Sequence, residues 1–386
     1  MKSKLVVVGA ILTLMILWWQ AQQPAWNSHM QVDIWVMWER LSYWFAHNHS
    51  FAGLTGNEIL PATLTYLFVP VWLSPAAATN YGNYLPMMML VNLAILIGHY
   101  VIVKQKTILV LSLLFLGPIL LFRFDGLVTL FLLLAFLFFE KGGYKMSGWW
   151  LGLATGMKVF PVIFLPYLCL ILWKQNKIRD MLGLLIFFGE ALLLPLLIFL
   201  LLGGSLAQVS SALGFHSQKL ISIESVPGSL ITGWSLLTNG HPPELIPGNG
   251  IWAVAGPATF FNKLWMIPIA LTYGFVYIRK GLTHKFNWLV PFGFMLIFLV
   301  VSKNLNPQYL WWFMALLPFV KPSPVMMGLI LVAALLNQLV FPLYYTTFVE
   351  DFYRLNQSYW VYYLLILRNV CLLAITYLSV KRLTNE

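Results

Sequence analysis

Apolar residues in this chain fall into long blocks separated by short polar clusters. The blocks lie near 5–20, 83–103, 107–122, 126–139, 147–157, 160–173, 181–202, 264–278, 286–301, 309–320, 324–348 and 358–380. A helix needs about 20 residues to cross the hydrocarbon core of a bilayer. The pattern therefore predicts an all-α polytopic membrane protein, a bundle of about 12 transmembrane helices, some of them short. Two longer segments, 21–82 and 203–263, form outer loops, the second rich in Gly, Pro, Ser and His. Within the first, Leu60 to Leu73 is apolar, with Pro61 and Pro70 near its ends, and predicts an interfacial or re-entrant helix. No repeat and no large hydrophilic stretch interrupts the pattern, so 1–386 reads as a single transmembrane domain.

The basic residues orient the blocks. Lys2/Lys4, Lys104/Lys106, Lys141/Lys145, Lys174/Lys177/Arg179, Arg279/Lys280/Lys285, Lys321 and Lys381/Arg382 all share one side if both termini are cytoplasmic. This alternation puts 15 of the 23 basic residues inside, as positive-inside insertion requires. Lys2 and Lys4 ahead of Leu5 to Trp19 resemble a secretory signal, but further spans follow, so the segment reads as an uncleaved first helix.

Spacing then exposes two blocks that are too short. Only 34 residues separate Lys106 from Lys141, and 28 separate Lys145 from Lys174. Two full crossings need about 40. Each is expected to be a short helical hairpin whose apex stops below the outer surface, under a polar crevice. The first apex carries Arg123-Phe124-Asp125-Gly126, and the second carries Lys158 just before Phe160-Pro161. An ionised side chain facing lipid costs about 3 kcal/mol, so these charges need partners.

Composition agrees with the pattern. Hydrophobic residues are 60% and charged residues 9% of the chain, with mean hydropathy +0.81, against about 25% charged in a soluble domain. The net charge of +11 sits in loop clusters, which insertion explains without nucleic acid as a partner. Cys169 and Cys371 lie alone inside apolar runs and form no metal or redox motif. The seven histidines show no i,i+4 pair and there is no Asp-x-Asp, so no metal or cofactor is expected.

With only 12 acidic residues, each can be placed. Glu140, Asp180, Glu350, Asp351 and Glu386 read as solvated loop or terminal positions. Glu190 lies within a span and reads as a buried helix contact or a functional group. Asp33, Glu39, Glu58, Asp125, Glu224 and Glu244 all fall outside. Asp33 opens Asp33-Ile-Trp-Val-Met-Trp-Glu-Arg40, a surface helix with Asp33, Met37, Arg40 and Trp44 on one face. It reads either as a helix cap or as a catalytic group. Arg40, Arg123, Lys158 and Lys303 bring cations to the same side, suited to a phosphate-bearing ligand. Tyr309, Trp311 and Trp312 read as a membrane-interface belt.

Four elements in order resemble a known family. They are an Asp soon after the first span, Arg123-x-Asp125, Gly148-x3-Gly152-x5-Lys158-x2-Pro161, and Ser302-x3-Asn306-Pro307-Gln308-Tyr309. Together they resemble the C-superfamily (GT-C) membrane glycosyltransferases. Within that superfamily the chain is most similar to the polyprenol-phosphate-mannose-dependent α-mannosyltransferases, and more distantly to the first mannosyltransferase of the GPI-anchor pathway. The resemblance covers about residues 5–320, and His216 to Ser225 resembles the family's later outer loop. Asp33 lacks the second acidic residue that the GPI-pathway enzymes carry beside it. Only Leu60 to Tyr66 stands where a Tyr-Pro-Pro stretch is expected.

The resemblance implies a GT-C-like bundle with interfacial helices in the first outer loop. It also implies transfer of a hexose, mannose by family likeness, from a polyprenyl-phosphate sugar donor to a lipid or glycan acceptor hydroxyl outside. Asp33 is then the general base of an inverting displacement. Arg123 and Lys158 hold the donor phosphate, with Arg40 and Lys303 as further candidates. Asp125 serves as the internal partner of Arg123 or Lys158, with a direct sugar contact as the alternative. His216, Glu224, Asn306, Gln308 and Tyr309 stand as substrate-binding or supporting residues. The expected location is a bacterial or archaeal plasma membrane ahead of the endoplasmic reticulum. The competing reading is a transporter or flippase for an anionic lipid or solute, with Arg123, Asp125, Lys158 and Glu190 as its pathway.

Overall fold

A computed structural model of the chain describes residues 2–24, 30–53, 60–248, 251–254, 266–278, 284–345 and 359–385. Glu58, Arg279, Lys280, Glu350, Asp351 and Glu386 lie outside the described residues, as do the side chains of Lys2, Lys4 and His216.

Helices follow the apolar blocks. The N-terminal half contains α1 (Lys2–Gln22), α2 (Val32–Ala46), α3 (Pro61–Leu67), α4 (Val69–Leu73), α5 (Tyr81–Ile102) and α6 (Lys106–Leu116). Next come α7 (Asp125–Glu140), α8 (Tyr144–Met157), α9 (Leu165–Lys174), α10 (Ile178–Leu201), α11 (Leu206–Gln218) and α12 (Val226–Asn239). A hairpin of β1 (Leu245–Gly248) and β2 (Ile251–Val254) intervenes. The chain ends with α13 (Met266–Ile278), α14 (Leu289–Val301), α15 (Leu310–Met314), α16 (Leu317–Val320), α17 (Pro324–Gln338) and α18 (Trp360–Asn385). Among the described residues four helices are long and apolar enough to cross a bilayer: α5, α10, α17 with its extension to Leu343, and α18. The architecture is that of an all-α membrane protein.

Each of the two blocks too short for paired crossings holds two short helices joined by a 3-10 turn. The first is α6, a 3-10 turn at Pro118–Phe122, and α7; the second is α8, a 3-10 turn at Phe160–Phe164, and α9. At 1.5 Å per residue, α6 and α9 are only about 16 and 15 Å long, half the hydrocarbon thickness. Gly117 ends α6 at φ 78°, and Pro118 prevents the helix from continuing. The carbonyls freed there, of Leu114 and Phe115, accept hydrogen bonds from Gln338 Nε2 on α17. An interior helix end is thus satisfied from across the bundle.

The glycines of α8 decide how that hairpin is held. A Cβ on Gly148 would overlap the carbonyl oxygen of Leu184, and one on Gly152 would come within 2.5 Å of that of Phe188. Small residues four apart let two backbones meet, so α8 lies directly against α10. We expect Gly148→Val to destabilise the protein by about 3 kcal/mol, seen as a lower melting temperature in detergent. Gly189→Ala on α10, where a Cβ meets nothing within 4 Å, is the control and should be neutral or slightly stabilising.

Two expectations are corrected here. Glu190 is exposed on the outward side of α10, beside the exposed Ile186 and Leu193, and is no buried helix contact. An outward position on an apolar helix gave no sequence signal distinct from an inward one. The segment 60–73 forms two short helices, α3 with Pro61, Ala62, Thr63, Leu64, Tyr66 and Leu67 buried, and α4 with Trp72 and Leu73 exposed at its end. Thr63 Oγ1 donates to the Met157 carbonyl at the end of α8 (3.1 Å). The second outer segment is not wholly helical. Residues 221–223 flank the β hairpin, with Val254 N–H donating to Ile221 O and Ile223 N–H to Trp252 O, both at 2.9 Å.

Candidate functional site: a buried charge cluster at two hairpin apices

The first hairpin apex leaves Arg123 extended between the 3-10 turn and α7. Its Nη1 donates to the carbonyls of Met30 (2.6 Å) and Phe122 (3.2 Å), and its Nε lies 3.1 Å from Asp33 Oδ2. Asp33 sits in the first turn of α2, but the helix is capped at Gln31 without any side-chain bond. The carboxylate therefore serves an ion pair and not a cap. Arg123 ties the start of α2 to the apex by both backbone and side chain.

Two residues on, Asp125 opens α7 and is fully buried. Its Oδ1 accepts from Lys158 Nζ (2.7 Å) and from Trp312 Nε1 (2.6 Å). Its Oδ2 is buried with no hydrogen-bond partner among the described residues. A carboxylate in the first turn also gains from the helix dipole. Lys158 ends α8 in extended conformation, and its Nζ lies 4.8 Å from the Phe124 and Tyr309 rings and 5.1 Å from that of Trp312. Trp312 is itself stacked between Phe160 (3.8 Å) and Tyr309 (3.9 Å). Lys158 thus has one carboxylate and three aromatic faces, which lower the cost of holding a charge inside.

This placement overturns the interface-belt reading. Trp311 and Trp312 are 0% and 3% exposed and belong to the interior. Of the two partners expected for Asp125, the structure selects Lys158, while Arg123 takes Asp33.

Glu224 joins the cluster from the outer loop between α11 and α12. Enclosure of its carboxyl raises its pKa from 4.5 to about 7, against the pull of the Arg368 and Arg123 guanidinium groups. A carboxyl raised in this way keeps its proton in the fold where the unfolded chain has lost it. Its contribution to stability is full below pH 4.5 and is lost as pH rises through about 7. Melting temperatures measured from pH 5 to 8 should fall more steeply for wild type than for Glu224→Gln.

The Glu224 loop is anchored by residues that sequence reasoning missed. Arg368, fully buried on α18, donates to the Glu224 carbonyl through Nη2 and to Asn337 Oδ1 through Nη1 (2.9 Å). Asn369 Nδ2 donates to the carbonyls of Glu224 (3.1 Å) and Ser225 (3.0 Å) and to Ser229 Oγ (2.6 Å). Asn337 Nδ2 reaches the Pro307 carbonyl (3.2 Å). Ser222 N–H donates to the Lys303 carbonyl (2.7 Å), joining the two outer loops. The signal was available, since Arg368 is an ionisable residue inside the last apolar block.

Gln308 is 3% exposed and flanks Pro307 together with the half-buried Asn306. Lys303 is half-buried, and burial together with the nearby Lys219 charge lowers its pKa. Arg40 is half-buried two turns beyond Asp33 on α2. His216 lies on α11, with its side chain outside the described residues. Exposure grades from 38% for the Asp33 side chain through 17% for Lys158 to zero for Asp125. Among the described residues no group of three or more His, Cys, Asp and Glu comes together to hold a metal.

Comparison with family models, curated proteins and solved structures finds no significant match in any of the three. Composition and fold define the class, an all-α membrane protein with an internal cluster of ion pairs.

Proposed function

We propose that the chain is a GT-C-like membrane glycosyltransferase with about 12 crossings and both termini cytoplasmic. It moves a hexose, mannose by family resemblance, from a polyprenyl-phosphate donor to an acceptor hydroxyl on the outer side. The observation that carries this reading is the convergence of two cations, Arg123 and Lys158, and two carboxylates, Asp33 and Asp125, at the apices of two shortened hairpins.

Each group has a task in the displacement. The acceptor oxygen attacks the anomeric carbon, and its proton passes to the Asp33 carboxylate, the most exposed group of the cluster. The bond from that carbon to the donor phosphate oxygen breaks, and the electron pair leaves with the phosphate. Arg123 and Lys158 hold the phosphate as its charge grows. Asp125 and Trp312 hold Lys158 in position between them. Direct attack with a single base inverts the anomeric centre. A donor phosphate competes with Asp33 for the Arg123 guanidinium and releases the carboxylate to act as base.

A transporter pathway through Arg123, Asp125, Lys158 and Glu190 gains no support from the position of Glu190 on the outward face of α10. The test uses purified protein in lipid nanodiscs with radiolabelled polyprenyl-phosphate mannose and a panel of glycan and lipid acceptors. Time-dependent loss of donor is the expected result. A wild-type protein that consumes no member of a panel of lipid-linked sugars overturns the reading.

A further inference from the structure

A second site stands at the opposite kind of location, where helices end among basic residues. A groove of about 520 Å³ runs between α1, the end of α5 and the start of α6. It is lined by Val6 and Val7 on one wall, by Tyr100, and by the turn from Lys104 to Ile108. No Asp or Glu lines it, while Lys104 and Lys106 both do. Lys106 Nζ rests 4.4 Å above the Tyr100 ring, which keeps the ammonium at the groove. The Tyr100 hydroxyl is enclosed and has no hydrogen-bond partner among the described residues. α6 begins here, with Gln105 as its N-cap and no side-chain capping bond, so the positive end of its dipole faces the same space.

These groups together specify an anion. The walls specify more. Val7 is 46% exposed, and Val101, on the neighbouring face of α5, is 68% exposed. Side chains of this kind on apolar helices face hydrocarbon, so the groove opens towards acyl chains as well as towards the headgroup layer. A soluble anion would use the lysines and leave the apolar wall idle. A lipid with a charged head uses both, and basic pockets at helix ends are suited to such heads.

We propose that this groove binds an anionic phospholipid. Its phosphate is held by Lys104, Lys106, the Tyr100 hydroxyl and the first turn of α6, and an acyl chain lies along Val6, Val7 and Ile108. The site does not depend on the proposed reaction, because it shares no residue with the Asp33–Lys158 cluster.

The experiment is native mass spectrometry of delipidated protein titrated with phosphatidylglycerol or with phosphatidylcholine. Wild type should retain phosphatidylglycerol preferentially. The double variant Lys104→Gln/Lys106→Gln should bind it about thirty-fold more weakly, at about 1 kcal/mol per lysine. Lys141→Gln/Lys145→Gln, which removes an equal charge elsewhere, should bind as wild type does. Tyr100→Phe removes one oxygen without a charge change and should weaken binding about fivefold. Melting temperatures of all variants check that the fold is retained. Equal retention of the two lipids, an unchanged affinity in both the double variant and Tyr100→Phe, or displacement of the lipid by equimolar inorganic phosphate would each overturn the proposal.

Discussion

Asp33→Asn is expected to slow sugar transfer by about a hundred- to ten-thousand-fold, the range a positioned general base contributes. The variant should still fold. The Asp33 side chain is 38% exposed, and the amide oxygen of the substituted side chain can still accept a hydrogen bond from Arg123 Nε. Arg123 meanwhile keeps its two backbone acceptors at Met30 and Phe122. The amide is close in size to the carboxylate and cannot take a proton from the acceptor, so turnover should fall while donor binding persists. Donor consumption and donor affinity measured on the same nanodisc preparation separate the two. Equal turnover in variant and wild type would remove Asp33 from the role of base, whatever else the protein does.

The second large effect concerns stability. Asp125→Leu should destabilise the fold by about 3–5 kcal/mol, because it leaves the Lys158 charge inside without its carboxylate. Burial decides the size: the Asp125 carboxylate is fully buried, whereas that of Asp33 is 38% exposed. Lys158→Met alone should cost a similar amount by stranding the acid. The double variant Asp125→Leu/Lys158→Met should recover much of the loss, since no charge is then left unpaired. Thermal unfolding of the four proteins in one detergent gives the coupling. A single Asp125→Leu variant that melts like wild type would show that this pair does not hold the hairpins together.

The parts of this arrangement that could be read from sequence were those set by counting. The two blocks between basic clusters were too short for paired crossings, and the structure has two short helices joined by a 3-10 turn in each, with charged residues beside the turns. The need of Asp125 for an internal partner followed from its depth, and the structure supplies Lys158. What escaped was set by direction. In a helix that is apolar on every side, periodicity does not say which face turns inward. Hence Trp312 resembled a membrane-interface residue, although it bonds Asp125, and Glu190 resembled an inner contact, although it faces out. The Arg123–Asp33 pair joins residues about ninety positions apart, and no local pattern encodes such a meeting. The β hairpin lay in a Gly- and Pro-rich stretch whose strands of four residues are too short for alternation to register. Arg368 carried a usable signal, but a single charge in the final block was absorbed into the block.

The buried guanidinium of Arg368 also sets an order of assembly during synthesis. Once the ribosome has released α8 into the membrane, the chain holds Asp33, Arg123, Asp125 and Lys158, and both ion pairs can close. The loop that carries Glu224 emerges about 66 residues later, pairs first with the β hairpin and Lys303, and gains its side-chain anchors Asn337, Arg368 and Asn369 only as α17 and α18 arrive. One half of the cluster is therefore a product of early translation, and the other waits for almost the last helix. A nascent chain halted before residue 360 would carry both ion pairs but lack the Arg368 and Asn369 bonds to the Glu224 segment, so the buried polar network closes only when synthesis is nearly complete.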